Sequence, residues 1–168
     1  MKNILRLLLL FTFSTCSIYA QTKKHAIKKF TDEVTGFSVA YPDSITPVIL
    51  KNKEDIKAEV EPFVLEIYAA KKAAVSAETI SDDCYKFTQA YTNKYKIAMK
   101  EFLCTEGAAG TTYYSYIYLI EKGQHTILLK FLHKHCNSCT NKQGKTIPFN
   151  NKKDIRWIKD IVESVQVK

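Results

Sequence analysis

The chain has 168 residues, 46% of them hydrophobic, with 25 basic and 17 acidic residues and a net charge of +8. That size and apolar content fit one globular domain with a real core, and exclude a disordered or fibrous chain. The positive charge is scattered (Lys23, Lys24, Lys28 and Lys29, then Lys71 and Lys72, then Lys142, Lys145, Lys152 and Lys153). With no long block of like charge and no Arg interleaved with aromatics, it reads as a solvated basic surface and argues against a nucleic-acid platform.

Residues 1–20 carry Lys2 and Arg6, then the apolar run Leu7–Phe13, then Ser17-Ile18-Tyr19-Ala20 ahead of Gln21. This is the order of parts in a secretory signal peptide, and it predicts cleavage between Ala20 and Gln21. A periplasmic or secreted location follows. The run is far shorter than the ~20 residues of a spanning helix. Cys16 follows Phe13-Ser14-Thr15, a poor match to a lipidation box. No second apolar run of spanning length appears downstream, so no transmembrane segment is expected in the mature chain. Loss of Lys2 and Arg6 lowers its net charge from +8 to +6.

Residues 21–33 read as a polar, basic N-terminal tail, and 34–168 as a single α+β domain. Phe37, Val39 and Tyr41 alternate along Gly36–Pro42, which predicts a half-buried strand ending at a Pro42-Asp43 turn. Ile45–Leu50 follows as an edge strand, with Pro47 barring it from a sheet centre. Phe63, Leu65, Ile67 and Ala69 alternate again. Ile80, Cys84, Phe87, Tyr91 and Tyr95 recur at helical spacing, which predicts an amphipathic helix capped by Ser76 with Glu78, Asp82 and Asp83 near its positive end.

Three strands come next: Ile97–Leu103, Thr111–Ile120 and His125–His133. Gly107-Ala108-Ala109-Gly110 reads as a flexible hairpin loop, and Glu121–Gln124 as a turn in which Gly123 takes positive φ. Thr111–Ile120 carries apolar bulk on both faces, with Tyr113, Ile117 and Leu119 opposed to Tyr114, Tyr116, Tyr118 and Ile120. Such a strand is central and covered on both sides, or shows aromatic side chains to a partner. Glu101 is expected on a solvent face or beside a Lys. Residues 136–149 form a long polar loop ended by Pro148. A last helix is predicted over 152–165, burying Ile155, Ile158, Val162 and Val165, with Asn150 or Asn151 as its cap.

The opening Gly36-Phe37-Ser38-Val39-Ala40-Tyr41-Pro42-Asp43-Ser44 and the closing Ile158-Lys159-Asp160-Ile161-Val162-Glu163-Ser164-Val165 resemble the PsbP-like families. These include the extrinsic photosystem II subunit and many bacterial exported proteins. The resemblance runs roughly from Gly36 to Val165 and implies an α/β/α sandwich around a mainly antiparallel sheet. It also implies a binding or assembly module without catalysis. The metal-site residues of photosynthetic members find no matching motif here.

One dense cluster of ligand-type side chains occurs, His133-Lys134-His135-Cys136-Asn137-Ser138-Cys139. Two His two apart on a strand share a face, and Cys-x-x-Cys is a spacing used by zinc sites and thiol–disulfide exchange. Cleavage at Ala20 leaves Cys84, Cys104, Cys136 and Cys139. An even number in an oxidising compartment points first to disulfides. Cys84–Cys104 with Cys136–Cys139 is one pairing, and a Cys104–Cys136 bridge is its rival. Ser44, Ser115 and Ser138 lack a nucleophile-elbow context. Two expectations result. The first is an exported non-enzymatic binding or assembly module, without cofactor, acting on a protein or small ligand of the cell envelope. The second is a small metal-binding protein (zinc or copper) or thiol-redox protein using His133, His135, Cys136 and Cys139.

Overall fold

The computed structural model of the protein describes residues 26–51, 62–68 and 84–168. The residues behind the signal-peptide reading, and positions 69–83, lie outside them. Nine strands and two short helices are described: β1 (Ile27–Asp32), β2 (Phe37–Pro42), β3 (Val48–Lys51), β4 (Phe63–Tyr68), β5 (Lys86–Thr92), β6 (Ala98–Ala108), β7 (Thr111–Lys122), β8 (His125–Cys136), α1 (Asn151–Asp154), α2 (Arg156–Glu163) and β9 (Gln166–Val167).

They form two sheets. The larger runs β3-β4-β8-β7-β6-β5, and the smaller β1-β2-β9. All pairs are antiparallel except β3 with β4. The long β6–β7–β8 meander is the scaffold, and its turns are the tightest available. Ala109 and Gly110 both take positive φ (46° and 78°) between β6 and β7, and Gly123 does so (58°) between β7 and β8. Primed turns of this kind match the right-handed twist of the flanking strands. The stretch read as a flexible loop is therefore a two-residue turn.

Period-2 alternation divides the large sheet into two apolar faces. Phe63, Leu65, Ile67, Tyr116, Tyr118, Ile120, Ile127, Leu129 and Phe131 belong to the first. Phe37 and Val39 of β2 and Ile155, Ile158, Ile161, Val162 and Val165 around α2 pack onto it. Tyr68, Phe102, Ile117, Leu119 and Leu128 form a separate buried cluster on the second face. The two-sided reading of β7 is thus correct, and it lies inside the sheet.

The predicted α/β/α sandwich is overturned. The first face is covered by a small sheet together with a helix of eight residues, no residue of either described helix joins the second cluster, and strands dominate the described residues. The predicted helix over Ile80–Tyr95 fails where it can be followed, because Lys86–Thr92 is strand β5. A spacing of four suits a strand as well as a helix, since both return a side chain to the same face. A register shift between Phe87 and Gln89 then moves Phe87 and Tyr91 to opposite faces. Phe87 meets Phe102 edge-on at 5.7 Å in the second cluster, whereas Tyr91 meets Tyr118 at 6.1 Å in the first.

Residues 27–32, read as tail, form β1, whose register against β2 sets Phe30 opposite Val39. Asp32 closes the turn between them. Its carboxylate accepts from the Thr35 N–H (3.0 Å), the Thr35 hydroxyl (2.7 Å) and Lys51 Nζ (2.5 Å). Burial pushes that carboxyl up, but the Lys51 and Thr35 hydrogen bonds outweigh it and hold it below its ordinary value.

The C-terminal segment is stitched to the sheets by side chains. Asn150 caps α1, accepting from the Lys153 N–H. Ser164 accepts from the Ala40 N–H at 2.8 Å. Asn93, after β5, donates to the carbonyls of Val162 (3.2 Å) and Val165 (2.8 Å) and accepts from the Tyr95 and Ile97 N–H groups (3.0 Å each). Glu163 accepts from the Tyr91 hydroxyl and the Lys94 N–H.

Candidate functional site

Strand β8 carries the sequence cluster to the end of the sheet. His133 pairs with Tyr114 across to β7, and His135 with Thr112. As alternation requires, both imidazoles share the first face with Tyr114. Phe149 returns over them from the segment before α1. Its ring stacks on Tyr114 at 4.1 Å and 11°, and lies 5.6 Å from His133 and 5.4 Å from His135. Burial lowers the His133 pKa and the neighbouring His135 lowers it further, opposed by the Asp154 carboxylate. The two His thus form an aromatic clasp with Tyr114 and Phe149.

The cysteines pair as Cys84–Cys104 and Cys136–Cys139, with Cα separations of 5.3 and 5.4 Å. The rival Cys104–Cys136 bridge is not formed. Cys84–Cys104 ties the turn before β5 to buried Cys104 on β6, so it staples a turn to the sheet where helix to sheet was expected. Cys136–Cys139 closes a small ring at the end of β8. With their sulfurs bonded to each other, these two offer no thiolate to a metal. Among the described residues, the group bringing three ligand-type atoms within 4.8 Å is Cys84, Cys104 and Glu106, two of which are disulfide-bonded. His133, His135, Cys136 and Cys139 are not gathered in that way.

Residues 136–149 are an ordered hairpin rather than an unstructured loop. Beyond the small ring, Ile147 N–H donates to the Cys139 carbonyl at 2.9 Å, and Thr140 bridges Thr146. The tip, residues 141–145, closes with Gly144 at φ 72° and an Asn141 side chain that accepts from the Gln143 and Lys145 N–H groups at 2.9 and 3.0 Å. A turn followed by a left-handed glycine is a favoured three-residue hairpin connection. At its base, the Asn137 N–H donates to the Gly110 carbonyl (2.8 Å) and its amide to the Thr112 hydroxyl (2.9 Å).

Every residue from 137 to 148 is exposed, and Phe149 is where the segment meets the core. Between Glu121 and Asp154 the sequence holds seven lysines and no acidic residue. Lys130 is paired with Glu66 at 2.8 Å, and Lys134 lies over the Tyr113 ring at 5.8 Å. Lys142, Lys145, Lys152 and Lys153 are exposed and, among the described residues, carry no ion pair.

Sequence reading missed the ties that make this hairpin: Asn137, Asn141 and Phe149. Asn141-Lys142-Gln143-Gly144 was the available signal, a turn-forming Asn and a Gly within a polar run. Glu101 also departs from expectation. It is buried, faces Tyr118 across the β6–β7 pair, and accepts from the Thr88 hydroxyl (2.7 Å) and the Gln89 amide (3.2 Å). Burial, then the Glu101 charge, drives the Tyr118 pKa upward, and the same two causes push Tyr116 up to about 12. No helix among the described residues is long and apolar enough to cross a membrane.

Neither a protein-family model nor a curated protein sequence matches the chain. Among solved structures it is similar to a protein from Bacteroides thetaiotaomicron whose crystal structure was determined at 1.50 Å, with 12% identity and a TM-score of 0.34. That similarity covers 84% of this chain and 42% of the other, so the chain spans less than half the length of the protein it matches.

Proposed function

We propose that this chain is an exported, non-enzymatic binding module whose contact element is the hairpin of residues 137–149. One observation carries the reading. Twelve consecutive exposed residues are held in one shape by a disulfide, a side-chain-capped turn and an aromatic anchor, while adding nothing to the core until Phe149. Ordering a surface segment costs roughly 1–2 kcal/mol per residue in backbone entropy. A partner that meets a preorganised segment avoids that cost on binding. The order of residues 1–20 together with two disulfides supports export. The buried carboxylates are engaged in the fold: Glu101 with Thr88 and Gln89, Glu66 with Lys130 and Tyr68, Asp32 with Lys51 and Thr35.

Replacing residues 140–146 by a two-residue Asn-Gly turn tests the reading, because Cys139 and Ile147 are already a hydrogen-bonded pair. The shortened protein is expected to keep its melting temperature and to fail in complementing a strain that lacks the gene. Full complementation by a stable shortened protein rules the hairpin out.

A further inference from the structure

We infer that the hairpin docks an acidic polypeptide segment of a partner protein, an assignment that rests on the binding reading above. Charge is the first ground. Lys142 and Lys145 flank the tip, Lys152 and Lys153 follow Phe149 into α1, and none of the four is held by a carboxylate among the described residues. Residues 137–149 hold no acidic side chain, and Asp154 and Glu106 lie outside them. Asp154 accepts from the Asn150 N–H at 2.8 Å, and Glu106 lies across the β6–β7 pair from Tyr113, whose ring sits under Lys134. A rigid element with unpaired cations and no competing anion attracts a negatively charged partner and speeds its encounter.

The chemistry of the hairpin then selects among anions. Residues 137–148 contain no aromatic side chain and no Arg, so there is no stacking platform for nucleobases or sugar rings and no fork for phosphate. The tip between Thr140 and Thr146 is wholly polar, so it has no wedge for a lipid bilayer. What it offers is point charges on flexible stems, one apolar contact at Ile147, 44% exposed beside Pro148, and the outward backbone of a short two-stranded ribbon. An extended chain carrying carboxylates meets all three, with main-chain hydrogen bonds along the ribbon and side-chain charges answered by lysine.

Fluorescence anisotropy with a labelled oligoglutamate peptide tests this on the purified protein. Binding at low salt is expected, with weakening at physiological salt as the charges are screened. Lys142→Glu with Lys145→Glu should lower affinity by roughly tenfold or more, while Lys28→Glu with Lys29→Glu on β1 should change it less than about twofold, since screened surface charges act locally. No binding of the peptide, or equal losses from both double variants, overturns the assignment. So does tighter binding of a carboxylated polysaccharide or of anionic phospholipid vesicles. The two proposals fail separately. If shortening residues 140–146 abolishes complementation but oligoglutamate does not bind, the hairpin stands and the acidic partner falls. If oligoglutamate binds through Lys142 and Lys145 but the shortened protein complements fully, the binding role of the hairpin falls.

Discussion

Asn93 is a buried polar side chain with four hydrogen-bond partners, and its loss can be sized from its surroundings. It is 4% exposed and makes four hydrogen bonds, two donated to the carbonyls of Val162 and Val165 and two accepted from Tyr95 and Ile97. Asn93→Ala removes all four and leaves four backbone groups with little access to water. At roughly 0.5–1.5 kcal/mol net for each of the four bonds, the expected loss is about 2–6 kcal/mol. At about 2–4 °C per kcal/mol for a domain of this size, that lowers Tm by roughly 4–24 °C. Asn93→Asp keeps both acceptor functions but turns an oxygen toward two carbonyls. The ionised form is repelled, and the folded-state pKa of the new carboxyl must rise above its unfolded value of about 3.9. A raised carboxyl pKa means the aspartate variant loses stability as pH climbs from that value through the folded one. It should therefore lie closest to wild type in acid and furthest from it at neutral pH. Urea unfolding followed by fluorescence of Trp157, the chain's single tryptophan, which packs edge-on to Phe131 at 5.7 Å, reads both effects. A loss under about 1 kcal/mol for Asn93→Ala, or a pH-independent deficit for Asn93→Asp, would refute the reasoning.

The two disulfides should differ in weight. Replacing Cys84 and Cys104 by Ala removes a crosslink between residues 20 apart, worth about 3 kcal/mol on chain-entropy grounds. Replacing Cys136 and Cys139 opens a ring of separation 3 and should move the melting temperature much less, so equal effects in calorimetry would contradict this. His133 has a lowered pKa, so its contribution to stability is complete above pH 6.5 and declines as pH falls below that value toward the folded pKa. His133→Phe should flatten this slope in pH-dependent unfolding, and an unchanged slope would place its origin elsewhere. Asn141→Ala should free the Gln143 and Lys145 amides to exchange rapidly by NMR while leaving global stability within about 0.5 kcal/mol. Retained protection would mean that the tip is held by other contacts.

Much of the strand content of both sheets was legible because alternation is a local signal. Phe37-Val39-Tyr41, Phe63-Leu65-Ile67 and both faces of β7 follow from side-chain parity alone, and the turn at Gly123 from the freedom of glycine at positive φ. The paired cysteines and the buried stripe of α2 were readable on similar terms. The failures share a cause. A bulge of one residue at Thr88 erases the parity of β5, leaving a spacing that imitates a helix. Strand β1 has few inward apolar residues, and its identity depends on pairing with β2. The His133–Cys139 cluster lies at the end of β8 as read, but the order of the segment after it was missed. That order comes from Asn137 and Asn141 bonding to particular backbone groups, and from Phe149 crossing to Tyr114. Such ties are visible only once the chain has been brought back on itself.

The short pairing of β2 with β9 bears on how the chain is made. The Ala40–Ser164 hydrogen bond joins residues 124 apart, and Phe37 finds Val167 only when the last residues are present. Synthesis at about 5–20 residues per second separates the two partners by roughly 6–25 s. During that interval the small sheet has no third strand and the first face of the large sheet lacks α2. In that interval the apolar side chains of β2 and of the first face stay without the cover that α2 and β9 later give them. A circular permutation that places α2 and β9 ahead of β1 would remove this interval.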